Sequence, residues 1–212
     1  MPPQILTMEE ELRKILEKTR QLSNTCSIRS LSLDELSRMI GVNRATLQKY
    51  VGGKTELVEK ALQYERIVFE EIFQTHDFEK ANAIDILLTV SREVGNRFKS
   101  VSPSVTFDLA KYYPEVYHRH IQERTEYIFT KIQVNLEKGI RQGMYRPDLS
   151  KELVARLYIS RLLDLHNPEF FPPHKFSFDT LFEVMFDSFV RSIATDSGLK
   201  YYEIRRKETE NE

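Results

Sequence analysis

The residues best suited to binding chemistry lie between positions 39 and 57, in the stretch MIGVNRATLQKYVGGKTEL. Its run Gly52-Gly53-Lys54-Thr55 looks like the end of a nucleotide-binding phosphate loop, but such a loop has the form G-x-x-x-x-G-K-[ST] and follows a strand. Residue 48 is glutamine where that form requires glycine, and the preceding residues have helical periodicity. We therefore interpret the run as a joint between two helices. At this joint Lys54 is either a solvated first-turn residue or faces a phosphate of nucleic acid.

Side chains suited to nucleic acid surround this joint. Arginine, lysine and glutamine can bind base edges, and threonine, tyrosine and lysine can hold phosphates. All of these types occur in the stretch from 44 to 54. Between residues 27 and 54 there are five Lys or Arg residues against two acids, whereas the formal net charge of the chain is −1. The charge distribution therefore predicts a local basic surface and no global one.

Two short helices must position these side chains. Ser32, followed by Glu35, forms a Ser-x-x-Glu capping box that opens the first helix; Gly41 ends it, and Asn43 is a good N-cap for the second. A helix pair with such a tight turn is the helix-turn-helix, in which the second helix enters the major groove of DNA. Apolar residues at helical spacing are expected to lock the pair against a preceding amphipathic helix: Leu33, Leu36, Ile40, Val42, Leu47 and Val51.

The segment SLDELSRMIGVNRATLQKYVGGKTELV resembles the DNA-binding segment of the TetR (tetracycline repressor) family of bacterial transcription regulators. The pattern of that family runs roughly T-x-x-x-I-A-x-x-A-G-V-S-x-G-T-L-Y-x-Y-F-x-S-K-E-x-L. The positions in register with it are Ser32, Leu36, Gly41, Val42, Asn43, Thr46, Leu47, Tyr50, Lys54 and Leu57. The departures are Ile40 for a small residue, Ala45 for glycine, Gln48 for tyrosine, Val51 for phenylalanine and Gly53 for serine.

The resemblance assigns roles to individual residues. It implies that Thr46, Tyr50 and Lys54 hold phosphates. Gln48 replaces one expected phosphate contact and is a candidate for a base contact. The implied partner is double-stranded DNA carrying a pseudo-palindromic operator, and no cofactor is expected. The complete set of predicted DNA-binding residues is Ser32, Asn43, Arg44, Ala45, Thr46, Gln48, Lys49, Tyr50 and Lys54.

The rest of the chain has the periodicity of further helices. Only 7 glycines and 8 prolines occur in 212 residues, which favours long helices over a turn-dense β fold. We predict an all-α protein of about nine helices: a helix-turn-helix DNA-binding domain at 1–53, an effector-binding and dimerisation domain at 54–200, and a charged tail at 201–212. The last part of this tail, RRKETENE, is expected to be frayed. The last helix is expected from about 177 to 195, with Gly198 as its terminator.

Two sets of apolar residues indicate what the C-terminal domain does. Aromatic residues of the middle helices either are core or line a pocket for a small-molecule effector; the pocket candidates are Phe73, Phe98, Phe107, Tyr113 and Tyr117. The helices starting near 151 and 177 are apolar on more than one face, which is typical of helices buried on two sides. They predict either a homodimer interface or extra packing within the chain. The interface candidates are Leu157, Leu162, Phe182, Met185, Phe186 and Phe189.

The sequence gives little support for a metal site, a disulfide, a membrane segment or an enzyme active site. His118 and His120 lie two apart, so on a helix they point roughly 200° apart and cannot share a metal ion; we place both on the surface. Cys26 is the only cysteine, which excludes an intrachain disulfide and favours a reducing, cytoplasmic setting. The charged N-terminus is unlike a signal peptide, and no apolar run of membrane-spanning length occurs. No catalytic signature is present, so we do not expect an enzyme.

These observations predict a sequence-specific DNA-binding transcription regulator: a homodimer, and more often a repressor in this family, released by a small-molecule effector. Its two DNA-binding heads must lie about 34–36 Å apart, or a multiple of that, to meet successive major grooves. One alternative is a helical interaction or adaptor protein that retains the helix-turn-helix as a scaffold without specific DNA binding. Another is an all-α enzyme whose site lies among the middle helices.

Overall fold

A computed structural model describes residues 8–23, 26–98, 103–165, 167–172 and 174–210, without the side chains of 98, 103–107, 209 and 210. Within these ranges the chain forms ten α-helices and one short 3-10 turn, so it is all-α as expected. Their bounds are α1 Glu10–Ser23, the turn Ile28–Ser30, α2 Leu33–Ile40, α3 Arg44–Tyr50, α4 Lys54–Thr75, α5 Ala83–Phe98, α6 Pro103–Tyr112, α7 Pro114–Arg141, α8 Lys151–Asp164, α9 Phe178–Ile193 and α10 Asp196–Glu210.

The helices pack as two compact units. The first comprises residues 1–75 and 100–124, and the second comprises residues 76–99 and 125–212. Helix α7 contributes its first part to the first unit and the remainder to the second. The boundary between a DNA-binding domain and an effector-binding domain, expected at residue 54, stays a prediction.

The first unit has a core to which α1 to α4 all contribute. Helix α1 packs against both α2 and α4, and α2 packs against α3. The apolar set expected to lock the helix-turn-helix lies in or against this core, with Leu36, Ile40, Leu47 and Val51 fully enclosed. Val116, from the start of α7, belongs to the same buried cluster. Burial of this continuous apolar surface is the main force that holds α3 in place.

In the second unit α9 contacts α5, α8 and α10. Its inward stripe is Phe182, Met185, Phe186, Phe189, Val190 and Ile193, all buried. The Tyr158 ring of α8 lies 4.6 Å from the ring of Phe189, centroid to centroid. Near the end of α7, the buried Tyr145 hydroxyl donates to Asn135 Oδ1 at 3.0 Å, and Asn135 Nδ2 donates to the Ala83 carbonyl at 2.9 Å. These bonds satisfy the buried side-chain polar groups of Tyr145 and Asn135.

Two predictions for the C-terminal end were wrong. Helix α9 ends at Ile193 because Ala194 is extended and forms an antiparallel bridge with Tyr145. Gly198 does not end a helix but lies inside α10, where a Cβ atom would come within 2.0 Å of the Met144 carbonyl oxygen. Residues 205–210, expected to be frayed, are helical and end α10, and Tyr202 of the predicted tail is buried. No helix in the described part of the chain has the length and apolarity needed to cross a membrane.

Candidate nucleic-acid interface

The first helix of the pair, α2, begins and ends with the predicted caps. Ser32 Oγ accepts a hydrogen bond from the Glu35 backbone N–H, and Glu35 Oε2 accepts one from the Ser32 N–H at 2.7 Å, which completes a capping box. Gly41 ends α2 with a φ of 82°, a left-handed conformation that a residue with a Cβ adopts only under strain. These local bonds determine where α2 stops and therefore where α3 can start.

Helix α3 is short and strongly capped. Asn43 Oδ1 accepts a hydrogen bond from the Thr46 backbone N–H at 2.7 Å. Leu47 is the one fully buried residue of α3, and Val51 follows it into the core. The remaining side chains lie at the surface: Arg44, Ala45, Gln48 and Lys49 are exposed, and Thr46 and Tyr50 are half-buried. The structure thus brings most of the predicted DNA-binding residues together on one exposed helix.

Acidic side chains already occupy two of the predicted DNA contacts. Arg44 Nη1 forms an ion pair with Asp34 Oδ2 at 3.0 Å, with both side chains about half exposed. Tyr50 Oη donates to Glu11 Oε2 at 2.9 Å. Hydrogen bonds to Glu9 and Glu11, together with desolvation, raise the pKa of the Tyr50 hydroxyl well above its ordinary value. In the free protein, carboxylates therefore hold the side chains of both Arg44 and Tyr50.

Lys54 does not extend freely from the joint. Its Nζ atom donates to the backbone carbonyl oxygens of Arg29 and Leu31 at 2.9 and 3.0 Å. Glu56 Oε2, two residues further along α4, accepts a hydrogen bond from the Gly52 N–H at 2.7 Å. The Gly52 bond and then Lys60 lower the pKa of the Glu56 carboxyl group. The joint is therefore filled by contacts within the protein.

His120 was placed on the surface by its sequence context, and this prediction was wrong. It is 4% exposed, and its Nδ1 atom lies 3.2 Å from Arg66 Nη1. Burial, assisted by the charges of Arg124 and Arg66, lowers the pKa of His120 to about 3. Arginine can only donate, so Nδ1 accepts and the ring proton lies on Nε2. His118 is exposed as expected, and no cluster suited to a metal ion occurs among the described residues.

The pocket candidates are only partly described. The side chains of Phe98 and Phe107 lie outside the described residues. Phe73 is half-buried and meets Phe69 edge to face at a centroid distance of 5.9 Å. Tyr113 packs against the core of the first unit, and burial raises the pKa values of Tyr113 and Tyr117. The lining of an effector pocket by these residues stays a prediction.

The interface candidates differ in exposure. Five of them are already buried within the chain: Leu162, Phe182, Met185, Phe186 and Phe189. Leu157 is 60% exposed, and the apolar side chains of Leu153 on α8 and Val184 on α9 are exposed to the same degree. The exposed apolar surface of these helices therefore includes Leu157 of the predicted set, together with Leu153 and Val184, which were not predicted. Intrachain packing accounts for most of the predicted set.

Comparison with known proteins places this geometry in context. No model of a protein family matches the chain. The HTH-type transcriptional regulator NfxB of Pseudomonas aeruginosa is 22% identical over 139 residues, which cover 65% of this chain and 72% of that protein.

Among solved structures, a TetR-family transcriptional regulator from Agrobacterium tumefaciens superposes with a TM-score of 0.63 at 16% identity, over 87% of this chain and 98% of that one. AibR, solved in complex with isovaleryl coenzyme A and operator DNA, has a TM-score of 0.55 at 18% identity, over 84% and 96% of the two chains. The predicted resemblance is thus confirmed at the level of architecture: this chain has the fold of the TetR-family transcriptional regulators.

Proposed function

We propose that this chain is a sequence-specific DNA-binding transcription regulator whose helix α3 enters the major groove. The observation that carries the proposal is the exposed surface of α3. This helix is fixed by its N-cap and by the burial of Leu47, yet it exposes Arg44, Gln48 and Lys49. A recognition helix needs this combination, because a rigid backbone must present long donor side chains to base edges.

The proposed DNA contacts are of two kinds, to base edges and to phosphates. Arg44, Gln48 and Lys49 reach base edges, and the small Ala45 permits close approach between them. Thr46 and Tyr50 hold phosphates, as do Ser32 and Asn43 at the two helix starts. DNA must first displace Asp34 from Arg44. A surface ion pair of this kind contributes only about 0–1 kcal/mol, so a phosphate or a guanine edge can replace the carboxylate.

The active form is a homodimer, because two heads are needed to read a pseudo-palindrome. The exposed apolar residues Leu153 and Leu157 on α8 and Val184 on α9 supply the centre of the interface. Leu157→Asp should give a monomer in size-exclusion chromatography with light scattering, since a carboxylate cannot be desolvated there. Ile204→Asp alters an equally exposed residue of α10 and should leave the dimer intact. A dimeric Leu157→Asp variant would contradict this interface.

We further propose that the protein is a cytoplasmic repressor released by a small molecule. Support comes from AibR, which was solved with both an acyl coenzyme A and operator DNA. The aromatic residues Phe73, Tyr113 and Tyr117 favour an apolar or amphipathic effector. Such a ligand lowers operator affinity only by the difference between its affinities for the DNA-competent and the incompetent arrangement of the heads.

Selection of bound duplexes from random DNA tests the proposed function directly. The purified protein should enrich two inverted half-sites whose centres lie about 10 base pairs apart, or a multiple of that spacing. The adaptor alternative predicts no enriched sequence. No specific observation in the structure or the comparisons favours that alternative.

A further inference from the structure

Three charged side chains in the first two turns of α4 bond to the backbone that flanks the helix-turn-helix. Lys54 reaches back to the segment that precedes α2, at the carbonyl oxygens of Arg29 and Leu31. Glu56 accepts from the Gly52 N–H, and Lys60 donates to the Tyr50 carbonyl oxygen, both at the end of α3. One helix thereby holds both the entrance and the exit of the DNA-binding motif.

The entrance contact lies directly before the N-cap of α2. Leu31 immediately precedes Ser32, the N-cap of α2, so its carbonyl group fixes the direction in which the chain enters that helix. The turn Ile28–Ser30 is anchored independently, because Ile28 is buried and the Arg29 guanidinium lies 3.7 Å from the centre of the Tyr112 ring. With two of its three donors committed to carbonyls, the Lys54 ammonium group is satisfied by the protein itself.

At the end of α3, the contact is made by a carboxylate instead of an ammonium group. The Glu56 carboxylate takes the Gly52 N–H, which is one of the amides available to an anion near the start of α4. It also pairs with Lys60 at 2.9 Å, and Lys60 in turn bonds the last residue of α3. A phosphate approaching this end of α4 meets a carboxylate that already occupies the nearest donor.

We propose that Lys54 is a positioning residue of the DNA-binding site, and that Lys54 and Glu56 together clamp the two ends of the helix-turn-helix onto α4. Lys54 acts on α3 through the backbone at residues 29 and 31 rather than through a phosphate. This inference rests on the proposed function, because it concerns how the same site is held in register with DNA. It replaces the phosphate contact that the sequence resemblance implies for Lys54.

The matched substitutions Lys54→Met, Glu56→Met and Lys49→Met test the proposal. The first two remove opposite charges from the clamp, and the third removes a lysine from the exposed face of α3. For each variant, affinity is measured for the duplex selected by the wild type and for a scrambled duplex, over a range of salt concentrations. Amide hydrogen exchange is measured on the same samples without DNA, and thermal melting gives the folded fraction to which each affinity is referred.

If Lys54 and Glu56 form a clamp, removal of either charge should change the specificity for DNA in the same direction. Lys54→Met and Glu56→Met should each lower the ratio of specific to scrambled affinity about tenfold. Lys54→Met should retain most of the salt slope, because it removes no phosphate contact. Lys49→Met removes a proposed base contact, so it should lower the same affinity ratio. Exchange at residues 28–33 and 50–53 should be about tenfold faster in the two clamp variants, and unchanged in Lys49→Met.

Three outcomes overturn the proposal. Loss of about 0.9 in salt slope for Lys54→Met, with equal loss of affinity for both duplexes, makes Lys54 a phosphate contact. If Lys54→Met lowers and Glu56→Met raises the affinity for both duplexes, the two residues act only through their net charge and do not form a clamp. If the two clamp variants melt at a lower temperature but keep the wild-type ratio of specific to scrambled affinity, the contacts stabilise the fold without positioning α3. If the wild type enriches no sequence, the proposed function fails, and the exchange rates still decide whether the clamp exists.

Discussion

Replacement of His120 by glutamine should flatten the dependence of protein stability on pH. His120 is buried in the first unit, beside Arg66 and close to the Arg124 charge, which together with burial hold its pKa at about 3. In the unfolded chain the pKa of histidine is near 6.5. Below pH 6.5 the unfolded state therefore binds a proton at this site and the folded state does not, so the free energy of unfolding decreases as pH falls.

The size of this effect follows from the two pKa values. Between pH 7.5 and pH 5.5, proton uptake by the unfolded chain at this one site costs about 1.4 kcal/mol of the free energy of unfolding. The result changes little if the folded pKa is one unit higher, because both values lie well below pH 5.5. At pH 7.5 the substitution itself should cost about 1–3 kcal/mol, since Arg66 loses its ring acceptor inside the protein.

Urea denaturation at pH 7.5, 6.5 and 5.5 measures this difference. The wild type should lose about 1.4 kcal/mol more than His120→Gln over this range. His118→Gln, two residues earlier on the exposed face of α7, is the matched control and should retain the wild-type dependence. Equal slopes for the wild type and His120→Gln would refute the buried, neutral histidine.

Four other substitutions test the packing and the helix caps. Gly198→Ala should destabilise the protein by about 3 kcal/mol, because its Cβ would overlap a backbone carbonyl. Gly95→Ala is the matched control within α5, where the added Cβ meets open space, and it should stabilise the protein by up to about 1 kcal/mol. Thermal melting compares the two variants. Tyr145→Phe should cost about 1–3 kcal/mol in urea denaturation, because the Asn135 oxygen loses its buried donor. Ser32→Ala should cost about 0.5–2 kcal/mol by removing the N-cap of α2, and an unchanged melting temperature would contradict that role.

The local features of the DNA-binding site were predictable because they depend on neighbours in the chain. The capping box at Ser32, the left-handed Gly41 and the N-cap Asn43 all involve partners within four residues. The core positions of α2 and α3 followed from helical periodicity, since one face of each short helix must be buried.

Contacts between distant residues were not predictable in this way. Lys54 bonds to carbonyl groups 23 and 25 residues earlier, and Arg44 pairs with an aspartate ten residues earlier on another helix. Tyr50 meets Glu11 across 39 residues. A propensity or a spacing rule contains no information on such pairs, because they arise only once α1, α2 and α4 have packed.

The burial of His120 could have been predicted from its spacing along α7. Val116 lies one turn before His120 on α7, and both residues are buried in the first unit. The position of His120 one turn after a buried apolar residue therefore outweighed its polarity. In α9 the stripe from Phe182 to Phe189 has the spacing of a single inward face, which explains why these residues are buried within the chain.

The end of the chain was misjudged for a different reason. Its high charge suggested a solvated tail, but the charges are paired with other helices of the second unit. Arg205 bonds Asp85, 120 residues earlier, and Arg206 bonds Asp187 of α9. Charge composition alone does not distinguish a solvated segment from one whose charges face opposite charges.

Specific DNA binding through α3 is the central claim, and substitution of Arg44 tests it most directly. The affinity of the wild type and of Arg44→Met should be measured for the selected duplex and for a scrambled duplex at the same salt concentration. Loss of a bidentate contact to a base should cost about 1–3 kcal/mol on the selected duplex and leave the scrambled one little changed. Equal affinity of the wild type for the two duplexes, or an Arg44→Met variant that still discriminates as well as the wild type, would contradict the claim.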